Sequence, residues 1–227
     1  MPLPQATLWG GALAGVAAVA CTGAGEGDFS DAAADLEARR HRIVARPWVP
    51  LRQVHGAAVH VVRTTADAAT APPADAAVTD RTDIALAVRT ADCAPIAMAS
   101  PEGVIGVVHA GWRGLLDGVI AATVDAMADL GATQVHALVG PCIEPACYEF
   151  SADDLAAAVE RFGPEVAGHD RHGRPALDLP GGVTAALARA GARLVAGPAT
   201  CTACSGGHFS WRARADTGRQ ATVVWLP

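Results

Sequence analysis

Hydrophobic and polar positions in this chain fall into short β-branched runs separated by stretches with helical spacing. The apolar stretch Leu8–Ala20 predicts an opening strand or strands, clearest at Val16–Cys21. The glycine-rich Thr22–Asp28 reads as a loop, and Ser30-Asp31 as the cap of a helix to about Arg42. Trp48–Val62 predicts a strand interrupted by polar residues, with the alternation Val59-His60-Val61 leaving His60 at the surface. Ala76–Val78 and Ile84–Val88 read as short strands divided by an Asp80–Asp83 turn. Ile96–Ala99 and Val104–Val108 predict a hairpin, turned by Pro101-Glu102-Gly103. Apolar residues from Leu116 to Leu130 repeat at three and four, which predicts one amphipathic helix ending at Gly131. A strand at Val135–Val139 and a Ser151-capped helix to Phe162 follow. The polar segment 163–180 then reads as a surface loop. A helix at Val183–Ala190 and strands at Arg193–Val195 and Ala221–Trp225 complete the chain. No repeat or linker divides it, so residues 1–227 are expected to form one domain.

Composition narrows this picture. The chain is 51% hydrophobic but only 4% aromatic, so its core must rest on Ala, Val and Leu. A formal net charge of -6 without a basic run gives no electrostatic footprint for nucleic acid. The opening apolar stretch is too short to span a bilayer, and no Lys or Arg precedes it as in a signal peptide. Neither a nucleic-acid nor a membrane partner is expected. Six cysteines are too sparse for a disulfide scaffold, which points to reduced thiols and a cytoplasmic location.

Candidate chemistry gathers where strands end. The run Val104–Val108 delivers His109, then Ala110-Gly111, then Trp112-Arg113 framed by glycine. Such a turn lets backbone pass close to a neighbour and offers N–H groups to an anion. His55 and Cys93 also stand beside polar turns, in Gln53-Val-His-Gly56 and Thr90-Ala-Asp-Cys-Ala-Pro95. Two histidines and a cysteine with an open fourth position make a chemically sensible catalytic zinc site, although their spacing matches no compact zinc motif. Arg113 and Arg212 are the candidate anion binders, since guanidinium pairs bidentately with phosphate. Asp92 either orients a ligand histidine or caps a turn. Cys142, beside a proline at a strand end, is a candidate for the pocket wall. Cys147 reads as structural, and Cys201-Thr-Ala-Cys204 has C-x-x-C spacing without a second ligand pair.

These segments, with Gly140-Pro-Cys-Ile143, Tyr148-Glu149, Phe209-Ser-Trp-Arg212 and Thr217-Gly-Arg219, resemble the laccase-domain family. That family is also called the multicopper polyphenol oxidase or purine nucleoside phosphorylase family. The resemblance runs from about residue 50 to the C-terminus. It implies an α+β fold of two mixed β-sheets packed together and flanked by helices, in a single compact domain. It implies zinc held by His55, Cys93 and His109, which also serve in catalysis, with Gln53, Arg113, Cys142 and Arg212 toward the substrate. The implied reaction is phosphorolysis of adenosine or inosine to base and ribose 1-phosphate, with adenosine deamination also attributed to the family. A related cysteine-dependent amidase activity on cell-wall precursors, with Cys93 as nucleophile, is the alternative. Multicopper chemistry fits less well, because no paired H-x-H motif is present. Two departures bear on substrate preference: Thr22-Gly-Ala-Gly lacks the family's usual arginine, and Trp211 stands where tyrosine is usual.

Overall fold

The computed structural model of the chain describes residues 9–198 and 200–227, with side chains from Leu13 onward. A hairpin of β1 (Trp9–Leu13) and β2 (Ala17–Cys21) opens it, so the first apolar stretch supplies two strands; Leu8 lies outside the described residues. They join a five-stranded sheet in the order β1-β2-β13-β6-β3, with β3 at Trp48–Val49, β6 at Ala85–Thr90 and β13 at Gln220–Trp225. The second sheet has six strands, in the order β12-β9-β7-β8-β5-β4. Its members are β4 (Val59–Val61), β5 (Ala76–Thr79), β7 (Ala94–Ala99), β8 (Ile105–Ala110), β9 (His136–Val139) and β12 (Arg193–Ala196). Both sheets are mixed: β3 runs parallel to β6, β4 to β5 and β12 to β9, while the remaining pairs are antiparallel.

The central strands β7 and β8 are buried on both faces, which explains their unbroken apolar runs. Even-numbered residues such as Ile96, Met98 and Val108 pack under the helices α3 (Trp112–Asp117), α4 (Val119–Ala128), α5 (Ala152–Phe162) and α6 (Leu179–Arg189). Odd-numbered residues, among them Ala97, Ala99, Ile105 and Val107, meet Val19, Leu86, Val88 and Val224 of the other sheet. The outer face of the five-stranded sheet is covered by Phe29, stacked on Trp48, and by the apolar side of α1 (Leu36–Ile43). This alternation fixes the site: Cys93, Pro95 and His109 share the parity that faces the opposite sheet.

Several expectations need correction. The first helix begins at Leu36 rather than after Ser30, because Asp28 accepts the Ser30 N–H, the Ser30 hydroxyl and the Arg219 N–H and holds that segment as a turn. The strands expected at Ala76 and Ile84 are present as β5 and β6, in different sheets. The helix drawn from Leu116 to Gly131 is two helices, broken at Gly118, whose φ of 91° lies in the left-handed region. Segment 163–180 is not a loop. It forms a hairpin of β10 (Ala167–His169) and β11 (Pro175–Leu177), and the start of α6 is capped by Asp178 accepting the Gly181 N–H. Its buried residues Val166, Ala176, Leu177 and Leu179 are too few and too widely spaced to show a period among polar neighbours. Among the described residues no helix is long and apolar enough to cross a membrane.

Candidate metal centre and active-site cavity

His55, Cys93 and His109 come together at one end of the sandwich, their ligand atoms within 4.8 Å of one another. Each arrives by a different route. His109 is the penultimate residue of β8 and only 3% exposed. Cys93 immediately precedes β7, beside the neighbouring strand. His55 sits in the irregular segment between β3 and β4 with a φ of 63°, and its Nε2 lies 3.8 Å from Cys93 Sγ. The two imidazoles meet edge to face at 4.8 Å.

Asp75 organises the cluster, and sequence reasoning passed over it. Its fully buried carboxylate accepts the backbone N–H groups of Val54, His55 and Gly56 at 3.1, 2.9 and 2.8 Å. The same carboxylate lies 2.8 Å from His109 Nδ1, which donates to it and leaves Nε2 turned toward the sulfur. One side chain therefore both shapes the turn carrying His55 and sets the tautomer of His109, a common arrangement behind metal-bound histidines. The available signal was a lone acid entering the apolar run Ala76-Ala77-Val78. Burial opposes ionisation of Asp75, but these four donors hold its pKa below the usual value.

The glycines of His109-Ala-Gly-Trp-Arg-Gly114 now have a cause. A Cβ on Gly111 would stand 2.7 Å from His55 Cδ2 and 3.3 Å from Cys93 Sγ, and one on Gly114 would stand 2.7 Å from the Gly56 carbonyl oxygen. The backbone passing close by is thus the His55 turn. α3 itself is a six-residue helix, so the turn offers little helix dipole, and Arg113 is the charge it carries.

Charge prepares the donors. Burial would raise the Cys93 pKa, yet His109 and His55 facing the sulfur bring it down to about 6. Burial would depress His109, yet the Cys93 sulfur and Asp75 lift it to about 9. Both shifts favour a thiolate facing an imidazolium, and a metal held there would need His109 in its neutral form. Two imidazoles, a thiolate and an open side toward the cavity fit a zinc-type ion.

The cluster forms the floor of a cavity of about 650 Å³. Five arginines, at 52, 89, 113, 212 and 219, line it with Asp31 and Asp92, so a positive basin lies within a protein of net charge -6. Arg113 is exposed and lies over the Trp112 ring at 4.5 Å. Arg212 lies over the Tyr148 ring at 4.9 Å and donates to the Glu149 carbonyl. Trp211, 58% exposed, stands at the rim. Arg52, Arg89 and Asp31 were not singled out from sequence; Arg89 is the one charge in the strand Ala85–Thr90.

The structure bears on three further expectations, and overturns that for Cys142. Gln53 lines the cavity, but both ends of its amide are bonded to the backbone of Arg89, at 2.8 and 2.9 Å, which ties its segment to β6. Cys142 does not line the cavity. It is fully buried in the core and its pKa is driven far upward, first by burial and then by Glu144. Of its two expected roles Asp92 takes the capping one: it orients no histidine but accepts the Thr202 hydroxyl and the Arg212 backbone N–H, each at 2.7 Å, which docks the first turn of α7 (Trp211–Arg214).

The described residues thus combine two packed mixed sheets with a His-Cys-His group at one end and an arginine-lined cavity beside it. Residues 9–227 match the model of the multi-copper polyphenol oxidoreductase laccase family, and the chain belongs to that family. Purine nucleoside phosphorylase ORF3 of Streptomyces griseus is 43% identical over 180 residues, 78% of this chain and 73% of the relative. A purine nucleoside phosphorylase of Deinococcus radiodurans is 36% identical over 225 residues, covering 94% and 86%. The crystal structure of the hypothetical protein YfiH of Bacillus licheniformis superposes with a TM-score of 0.82 at 22% identity, covering 93% of each chain. That of YlmD from Geobacillus stearothermophilus gives 0.78 at 25% identity, covering 92% and 91%.

Proposed function

We propose that this protein is a zinc-dependent purine nucleoside phosphorylase, converting adenosine or inosine and phosphate to free base and ribose 1-phosphate. The observation that carries the reading is the oriented His55-Cys93-His109 set on the floor of a cavity whose wall bears five arginines. Relatives named purine nucleoside phosphorylase support it.

Phosphorolysis breaks the glycosidic C–N bond as a phosphate oxygen bonds to the same ribose carbon. Negative charge builds on the departing purine, which must also gain a proton. The arginines would hold the phosphate and keep its charge in place, because guanidinium groups in a sheltered cavity form strong charge-assisted bonds to its oxygens. Tyr148, Trp112 and Trp211 supply aromatic surface suited to the flat base and the ribose. Asp75 would keep His55 and His109 in their ligand orientation through turnover. When bound by His55, Cys93 and His109, zinc would supply Lewis-acid stabilisation of negative charge beside the reacting centre.

One observation favours a second reading. Without metal, Cys93, His109 and Asp75 stand in the order nucleophile, base and orienting acid, the set a cysteine amidase needs. Coordination would suppress it, since a thiolate bound to zinc is a poor nucleophile. The test is phosphate saturation in Arg113→Ala. Loss of a charge-assisted contact of about 1.5–3 kcal/mol weakens phosphate roughly ten- to hundredfold. An unchanged phosphate KM would contradict the role given to Arg113.

A further inference from the structure

Outside this centre, three cysteines from two distant segments converge. Cys147 closes the short turn Pro145–Cys147, and Cys201 and Cys204 lie on the turn leading to α7. Their three Sγ atoms lie within 4.8 Å of one another, and Cys147 and Cys204 are 2.7 Å apart. The surroundings of Cys201 favour its anionic form, while Cys147 beside Cys204 pushes the Cys204 thiol up to about 12. The Glu144 N–H donates to Cys201 Sγ at 3.5 Å. Arg171 donates from Nη2 to Cys147 Sγ at 2.6 Å. A backbone N–H donating to the first sulfur of a C-x-x-C pair suits a thiolate ligand, and a third sulfur completes one face of a tetrahedron.

We propose that Cys147, Cys201 and Cys204 form a second metal site, for a thiophilic d10 cation such as Zn2+. Soft thiolates select such ions. Three thiolates on a dication leave one net negative charge, and Arg171 is placed to offset it. With Zn–S bonds of about 2.3 Å, tetrahedral ligands stand roughly 3.7 Å apart, so Cys204 must swing away from Cys147 by about 1 Å as the ion enters. Cys204 is exposed, which gives its side chain that freedom and leaves the fourth position to solvent. The ion would tie the segment carrying Tyr148 to the one carrying Trp211 and Arg212, two walls of the main cavity. A Cys147–Cys204 disulfide is the competing chemistry. It needs a two-electron oxidant, and it leaves Cys201 and the Glu144 N–H that donates to it without a role.

The test is zinc stoichiometry and cobalt absorption of the reduced full chain, compared with Cys204→Ala and His109→Ala. Cys204 is exposed, so its alanine variant keeps the fold. The reduced protein should hold about two ions per chain and each variant about one, with most of the thiolate-to-cobalt absorption lost only in Cys204→Ala. Cys204→Ala holding as much zinc as the unaltered chain overturns the proposal, as does a Cys147–Cys204 bond that survives reductant and excludes the metal. If Cys204→Ala holds none while His109→Ala holds one, the second site stands and the His-Cys-His reading fails.

Discussion

Asp75 carries more of the site than any ligand does, because a single buried carboxylate supports both histidines. Asp75→Asn keeps the shape but replaces an acceptor-only group with an amide, so it cannot take all four donors. Zinc affinity at His55-Cys93-His109 should fall about 10- to 100-fold, as for other groups behind metal ligands, read by competition with a chromogenic chelator. Unchanged affinity would mean that His109 is oriented by something else. Gly111 is the second sensitive position. Gly111→Ala drives a Cβ into His55 and Cys93, so that variant should stay folded by circular dichroism yet bind zinc at least tenfold more weakly. Full zinc binding would show that the His55 turn yields freely. The proposed ligands were legible in sequence as polar residues at strand ends, in motifs that resemble a family, and the structure brings the three side chains together. Asp75 was not, since an acid beside a turn gives no sign of which distant groups it will accept from.

At the scale of elements, long periodic runs were read correctly and punctuation was not. The hairpin of β7 and β8 and the Ser151-capped α5 followed directly from pattern. The break between α3 and α4 did not, because apolar spacing continues across Gly118 and only its left-handed φ marks the division. No atom lies within 4 Å of a Cβ built there, so backbone strain alone opposes a side chain. Gly118→Ala should therefore cost about 1–2 kcal/mol, visible as a lower urea midpoint at constant slope. An unchanged midpoint would show that the helices can fuse into the single helix the sequence pattern suggests. The hairpin of β10 and β11 was hidden for another reason. Its strands are three residues each, and β10 is mostly exposed, so neither shows alternation.

For the whole molecule, sheet membership was beyond sequence reading: two neighbouring strands, β5 and β6, belong to opposite sheets. That separation places Asp75 just before β5 in one sheet, behind His109, and Arg89, which lines the cavity, near the end of β6 in the other. The positive wall likewise assembles from segments far apart in the chain, so a net charge of -6 gave no warning of it. The central claim is that in this cavity phosphate bonds to the ribose of a purine nucleoside as the C–N bond to the base breaks, with the His55-Cys93-His109 centre required. Its most direct measurement is product analysis of adenosine and inosine incubated with zinc-loaded protein, with and without phosphate. The account predicts free base and ribose 1-phosphate only when phosphate is present, and loss of both after chelation or in His109→Ala. Base release without phosphate, or cleavage of an amide with Cys93 trapped as an acyl intermediate, would contradict it.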